Sequence, residues 1–462
     1  MIRINRTLSP DQLRRPIERM WDASARKIES IQRSWDPARG APVFTVAGRY
    51  TSRGWTEWTQ GFQFGSALLQ FAATGDTGAL EVGRIGTYRY MASHVSHIGV
   101  HDHGFNNVST YGTLRQLALG ARFDADRGEI AAYEIALKVS GAVQAARWTD
   151  LPEGLGYIYS FNGPHSLFAD TVRSLRSLAL AHQLDHVLMG ERDQRISLLR
   201  RLCQHAETTA RFGVYYGTGR DHYDVRGRVA HESIFNVNDG SYRCPNSQQG
   251  YSPFTTWTRG LAWIICGYAE QLEFLTTRPA REFGSPAAKR RIVNLCVEAA
   301  RATADFYIEQ TPPDGVPYWD TGAPGLADLK HHRDRAADPY NDHEPVDSSA
   351  AAIAAQGLIR LGRYLSGIGK SKAGRTYLSA GLTVLRTLLG EPYLSTDARH
   401  QGLLLHSVYH RPNGWDYVPK GRKIPCGEAC MWGDYHLREA AYLVEQIADG
   451  GDYTFFGVPS LA

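Results

Sequence analysis

The stretch Gln249-Gly-Tyr-Ser-Pro-Phe-Thr-Thr-Trp-Thr-Arg-Gly-Leu-Ala-Trp263 carries the chain from a Gly/Pro-punctuated loop into a helical pattern. Pro253 with Thr255 and Thr256 is helix-start chemistry, which sets Trp257, Arg259 and Trp263 in the opening turns. Arg259 and Trp263, four residues apart, share one face. A guanidinium beside an indole suits a ring-shaped ligand bearing a carboxylate, because a helix N-terminus already favours anions. The same spacing equally fits a core tryptophan beside a surface arginine.

On either side of this stretch the apolar period is helical almost throughout. Upstream, helices are expected over 11–31, to about 73 from Phe62, from Thr77 to near 97, and over 107–119 and 127–142. A sixth begins near Ser166 and contains Asp170, and a seventh covers 191–210. The quoted stretch opens the eighth. Downstream follow 286–308, 350–365 capped by Asp347 and Ser348, 372–389, and a last helix from Gly433 to about 447. An alternating, turn-rich excursion occupies about 213–250, a long loop spans about 391–431, and 148–165 reads as irregular.

Twelve helices form six hairpins. Polar and aromatic clusters precede or open the even-numbered ones: Trp58, Asp102, Asp170, Trp257 with Arg259, Asp347 with Ser348, and Trp432 with Asp434. If the even helices form an inner ring, these clusters meet at one mouth. The expectation is an all-α chain, an (α/α)6 barrel in a single domain over 1–462, with one electropositive aromatic pocket.

The totals agree. Of 462 residues, 43% are hydrophobic, enough for a large core, and 51 basic residues balance 47 acidic ones to a net charge of +4. That balance argues against a nucleic-acid partner and permits an anionic small substrate. No apolar run is long enough to span a membrane, so no membrane partner and a cytoplasmic location are expected. The six cysteines are sparse, and Cys426 with Cys430 lacks the second pair of a zinc site.

Asp102, in His101-Asp-His-Gly-Phe105, and Asp170, in Phe168-Ala-Asp-Thr-Val, are the candidate catalytic carboxylates. Apolar surroundings and a neighbouring Asp102 charge are expected to raise Asp170 toward neutrality, as a general acid requires. Each aspartate also reads as a plain N-cap. His231 and Gln249 are candidates for positioning a substrate oxygen or water; Trp58, Trp257, Trp263 and Trp319 are candidates for stacking on sugar faces. His101 and His103 flank Asp102, but the letters offer no third ligand, and no metal is expected.

Taken in order, His101-Asp-His-Gly-Phe105, Asp170-Thr, Gln249-Gly-Tyr-Ser252, Trp257-Thr-Arg-Gly-Leu-Ala-Trp263, Asp314-Gly-Val-Pro-Tyr-Trp-Asp320, Asp347-Ser-Ser-Ala-Ala-Ala-Ile353, 406–412 and Trp432-Gly-Asp-Tyr435 resemble glycoside hydrolase family 88, the unsaturated glucuronyl hydrolases. The likeness spans about Trp58 to Glu439. It implies an (α/α)6 barrel that removes the terminal 4,5-unsaturated uronic acid from lyase-generated oligosaccharides, without a cofactor. In that family's route a protonated Asp170 would protonate C4 of the vinyl ether, water would add at C5, and the hemiketal would open to release the next sugar. By the same likeness Asp102 would hold sugar hydroxyls and keep Asp170 protonated. His231 and Gln249 would position water, Arg259 and Trp263 would meet the substrate carboxylate, and Trp58, Trp257 and Ser348 would line its site.

Where that family commonly has Asn and Trp, this chain has Ser174 and Gln63, and Arg173 and Arg176 make its sixth helix unusually basic. These departures bear on the leaving sugar. The sister family 105, the unsaturated rhamnogalacturonyl hydrolases, is the alternative; it typically has Gly-Asn-Gly-Trp where Gly-Leu-Ala-Trp263 stands here. A catalytically silent oligosaccharide-binding toroid and a polysaccharide lyase are the readings from other classes. The protein is expected to act as a monomer or homodimer.

Overall fold

The computed structural model describes residues 1–54 and 57–457. Trp55, Thr56 and 458–462 of the expected single domain lie outside the described residues. The helices are α1 (Arg14–Ser34), α2 (Gln60–Thr74), α3 (Thr77–Tyr90), α4 (Ala92–Val95), α5 (His103–Asn107), α6 (Thr113–Leu119) and α7 (Arg127–Ala146). They continue as α8 (Thr171–Ser174), α9 (Arg176–Gln183), α10 (Leu198–Phe212), α11 (Thr258–Thr277), α12 (Pro286–Gln310), α13 (Ser348–Gly367), α14 (Ser371–Leu388) and α15 (Met431–Ala448). A π-helical turn, Val108–Gly112, joins α5 to α6.

Two rings result, and the chain folds as an (α/α)6 barrel. The inner ring runs α2, α5–α6, α8–α9, α11, α13, α15 and closes where α15 packs on α2; α1, α3, α7, α10, α12 and α14 pack outside it. Inner helices are buried on nearly every side: α11 and α13 bury nearly every residue. Outer helices keep one wet face, as in α10, whose buried residues are Leu198, Leu199, Leu202, His205, Ala206, Thr208, Thr209 and Ala210. Close approach within the rings needs small residues. A Cβ on Gly357 of α13 would stand 2.7 Å from the Cys266 backbone nitrogen of α11.

At the C-terminal ends of the inner helices the tail folds across the ring. Tyr453, Phe455 and Phe456 are buried there; the Tyr453 hydroxyl donates to Glu439 (3.2 Å), and its carbonyl accepts from Arg360 (3.0 Å). Above this seal, α8–α9 meets α11 and α15 through charge. Arg173 pairs with Glu270 (2.8 Å) and Glu439 (3.1 Å), and Arg176 lies 3.7 and 3.5 Å from the same two carboxylates. The basic residues of this helix are therefore structural ion-pair partners, and neither lines the cavity at the mouth. Their expected bearing on the leaving sugar is corrected accordingly.

Short antiparallel ribbons replace some expected loops. The strands β1 (Phe44–Val46) and β2 (Arg49–Thr51) pair, as do β3 (Trp148–Asp150) with β4 (Gly156–Ile158) and β6 (Val187–Met189) with β7 (Arg195–Ser197). β5 (Ser166–Phe168), β8 (Glu232–Phe235) and β9 (Tyr242–Asn246) form a three-stranded sheet in the order β5-β8-β9. So 148–165 carries a hairpin instead of an irregular loop, and the helix expected from 191 starts at Leu198 because β6–β7 occupies its first turns. Between α14 and α15 lies a long segment without helix or strand.

Candidate active site

Most clusters that the sequence places ahead of inner helices do meet at one mouth. A cavity of about 650 Å³ opens there, with Trp58, His101, Asp102, Phe105, Asp170, Gln249, Trp257, Arg259 and Trp263 in its wall. Phe161, Asn162, Gln248 and the segment from Tyr409 to Trp415 complete it.

Asp102 and Asp170 occupy the N-cap positions of α5 and α8, yet neither side chain caps its helix. The plain N-cap reading is therefore set aside. Both are buried, and with His101 they form a group whose polar atoms lie within 4.8 Å of one another. His101 Nε2 is 3.8 Å from Asp102 Oδ1 and 3.6 Å from Asp170 Oδ1. One imidazole and two carboxylates are also a donor set for a divalent cation. The third ligand missing from the letters is Asp170, brought in by another helix.

The spacing of α5 and α8 is set by contact. A Cβ on Gly104 would lie 2.2 Å from the Ser174 carbonyl oxygen, and the Gly104 N–H donates to Ser174 Oγ (2.9 Å). Gln144 of α7 donates to the same hydroxyl (2.9 Å). Ser174, a departure from the family pattern, is thus a short tie holding the two aspartate-bearing helices together.

The expected rise of Asp170 is not what this geometry produces. Burial does push its carboxyl up, but the His101 imidazole, followed by His231, more than offsets that and holds it below its ordinary value. His101 is displaced the other way. Its burial favours the neutral ring, but Asp102 and Asp170 outweigh that and raise it. The sequence reading counted the Asp102 charge and omitted the imidazole that stands between the aspartates.

His231 lies just behind the cavity wall, placed by the Ala169 N–H donating to its carbonyl (2.9 Å). Its Nδ1 accepts from the backbone N–H groups of Gln248 (2.9 Å) and Gln249 (3.3 Å), which puts the ring proton on Nε2. Burial against Phe168 and Trp257 lowers it to about 4, so it is neutral at physiological pH.

Arg259 is a hub. Nη1 donates to Asp347 (2.9 Å) and the Val408 carbonyl (2.6 Å); Nη2 donates to Gln249 Oε1 (3.1 Å) and the Tyr409 carbonyl (2.8 Å). Its guanidinium also stacks over Trp257 at 4.6 Å. Both terminal nitrogens are spent on holding the wall. Asp347 both caps α13 and anchors Arg259.

Besides His231, three further residues expected at the mouth fall outside the cavity wall. Ser348 is fully buried and bonded to Ser407 (3.0 Å), Trp319 donates to Glu344 (2.7 Å) in the core, and Trp432 lies beneath Trp58, ring centroids 4.9 Å apart. The sequence reading missed Phe161, Asn162, His410, Asn413 and Trp415, all on loops without periodic pattern. Loop 409–416 is tied back by Asp416, which accepts from the backbone N–H groups of Tyr409 (2.5 Å) and His410 (3.1 Å).

An (α/α)6 barrel with paired carboxylates in an aromatic-walled mouth has the form of a carbohydrate-binding cavity. No protein-family model matches the chain. It is 26% identical over 389 residues to an unsaturated glucuronyl hydrolase of Formosa agariphila, covering 83% of this chain and 79% of that one. The unsaturated glucuronyl hydrolase of Bacillus sp. strain GL1 is 24% identical over 415 residues, 87% of this chain and 90% of that one. Its solved structure superposes with a TM-score of 0.68 at 21% identity over 94% of this chain and 97% of that one. A variant of the Streptococcus agalactiae enzyme, solved with dGlcA-GalNAc6S, matches with a TM-score of 0.61 at 20% identity over 92% and 90% of the two chains. Over most of its length the chain is thus similar to unsaturated glucuronyl hydrolases.

Proposed function

We propose that the protein releases the terminal 4,5-unsaturated uronic acid from lyase-generated oligosaccharides by hydrating its vinyl ether. The observation that carries this reading is the convergence of Asp102, His101 and Asp170 in an aromatic-walled cavity that Arg259 also lines. Ordinary glycosidases place two carboxylates about the anomeric carbon at separations set by the stereochemistry. Here both aspartates crowd one imidazole, which suits proton handling at a single centre.

Asp170 donates a proton to C4 as positive charge develops at C5. Water then attacks C5 and gives its proton back to Asp170, so the carboxyl is regenerated, and the hemiketal opens with loss of the next sugar. Asp102 accepts from sugar hydroxyls. Neutral His231, through Nε2–H, and Gln249 orient the water. Trp58, Trp257 and Trp263 supply the apolar faces on which the ring lies, and Arg259 meets the uronate. Ser348 acts indirectly, supporting the start of α13. No cofactor takes part.

We read 1–462 as one catalytic domain. No helix among the described residues is long and apolar enough to cross a membrane. The six cysteines are free thiols, which supports a cytoplasmic location. A monomer or homodimer is the expected state, to be read by light scattering.

The decisive test follows ultraviolet absorbance of the vinyl ether with a panel of lyase-generated unsaturated disaccharides. Loss of absorbance with release of the second sugar is expected, and the best panel member identifies the leaving group. A rise in absorbance on an intact polysaccharide would instead establish a lyase, and no change across the panel with folded protein would favour the binding toroid.

A further inference from the structure

His101 has no role in the reaction as described so far, yet it stands beside both aspartates. The ring is buried, 2% exposed, and neither nitrogen has a hydrogen-bond partner among the described residues; Asp170 Oδ1 is likewise unpartnered. Buried polar atoms are nearly always satisfied, so three orphaned atoms within one cluster call for a ligand. Nε2 is the nitrogen directed at the pair, 3.8 Å from Asp102 Oδ1 and 3.6 Å from Asp170 Oδ1. Phe168 packs edge-on against the ring (5.5 Å) and Phe161 tilts over it (6.1 Å), so the imidazole is held in place by packing alone.

We propose that His101, Asp102 and Asp170 bind a late first-row divalent cation, with zinc as the type, and that the ion inhibits the enzyme reversibly by occupying Asp170. One imidazole nitrogen with two carboxylate oxygens is a borderline donor set. It favours zinc or cobalt over magnesium and calcium, which surround themselves with oxygen and water. Zinc bonds of about 2.0–2.2 Å set tetrahedral donors about 3.3 Å apart, so His101 Nε2 and either aspartate need approach by only a few tenths of an ångström. All three donor atoms already lie within 4.8 Å of one another. Two carboxylates match the charge of the ion. Since the three residues line the cavity, water reaches the fourth position.

The surroundings favour a passing occupant over a resident one. A resident metal centre usually ties the second nitrogen of its histidine to a carboxylate or a carbonyl, which raises the affinity of the site. His101 Nδ1 has no such tie among the described residues. The ion therefore competes with substrate for the cavity and has no part in the chemistry. Cation binding stands apart from the hydration reading, and only the loss of turnover rests on it.

The test titrates the intact, EDTA-treated enzyme with cobalt(II) alone, read by visible absorption and equilibrium dialysis. The six free thiols are competing donors, so the spectrum must report donor type. A single equivalent should bind with the d–d absorption of a four-coordinate ion, without a thiolate charge-transfer band, and zinc should displace it. His101→Gln and Asp170→Asn should each lose at least about tenfold in affinity, since even the outer partners of a metal ligand are worth that much. With an unsaturated disaccharide, zinc should raise KM and leave kcat unchanged, and EDTA should restore the rate. No d–d band, a thiolate band, or binding unchanged in either folded variant would overturn the site. Inhibition that lowers kcat at constant KM would overturn the competitive role. The expected cobalt spectrum in a protein that turns over no disaccharide would leave the cation site standing and remove the hydration reading.

Discussion

Replacing Asp170 with asparagine keeps the shape of the side chain and removes the proton it must give and take back. Asp170→Asn should therefore retain substrate affinity within a few-fold while kcat falls by about 10²–10⁴, the usual worth of a positioned acid–base group. Turnover by absorbance and affinity by calorimetry separate the two quantities, and near-native turnover would remove Asp170 from the mechanism. A second residue tests electrostatics away from chemistry. His205 is fully buried, accepts from the Ile158 N–H through Nδ1 (3.0 Å), and is held at about 3 by burial. Its unfolded-state value is about 6.5, so between these values the unfolded chain binds a proton that the folded chain refuses. Stability tied to the neutral ring is complete above about 6.5 and drains away as pH falls toward 3. His205→Asn abolishes that dependence. Its deficit relative to wild type should shrink by about 1.4 kcal/mol per pH unit below about 6.5, measurable by denaturant unfolding at two pH values; a deficit independent of pH would contradict the assignment.

Among elements, the α5–α8 contact carries the most consequence, because each helix begins at one of the aspartates. Gly104 lies against the Ser174 backbone, which cannot swing aside as a side chain would. Gly104→Ala should cost about 1–3 kcal/mol in stability from overpacking. It should also cost tenfold or more in kcat as the carboxylates part, since displacements near 1 Å are worth about 10² in rate. Full activity in a folded Gly104→Ala protein would show that this spacing is not critical. The two-ring alternation was legible in the letters, because long helices repeat their apolar pattern over many turns and end in caps such as Asp347. The ribbons were not, since strands of three residues such as β6 and β7 are too short to establish a period of two. Asp102 and Asp170 could be found as candidates from local sequence, but the direction in which Asp170 is displaced could not. It is fixed by His101, whose relation to Asp170 exists only once α8 stands beside α5. Ser348 and Trp319 misled for the converse reason, as a helix start or an indole has the same letters whether it faces the mouth or the core.

For the whole molecule, the charged axis beneath the cavity is the principal electrostatic commitment of the barrel. Burial works against the charge of Glu439, yet Arg173 and Arg176 hold its carboxyl down to about 2. Glu439→Gln would leave two guanidinium groups undercompensated and should destabilise the protein by about 3–5 kcal/mol, as breaking buried pairs does. The exposed partner Glu298, 2.9 Å from Arg226, is the control, and its loss should cost no more than about 1 kcal/mol. Equal effects of the two substitutions in denaturant unfolding would mean that the axis contributes no more than the surface.

The inner ring closes only where α15 meets α2 and α1, joining residues near the two extremes of the chain. On the ribosome, which delivers the polypeptide from one end, α2 must wait with an apolar face uncovered until 431–448 have emerged. Nearly all of the barrel has been made by then. Contacts of such long sequence separation are slow to form and leave sticky surface on view meanwhile. The nascent chain is thus a natural client for chaperones, and its yield in a cell depends on how well that surface is shielded during translation.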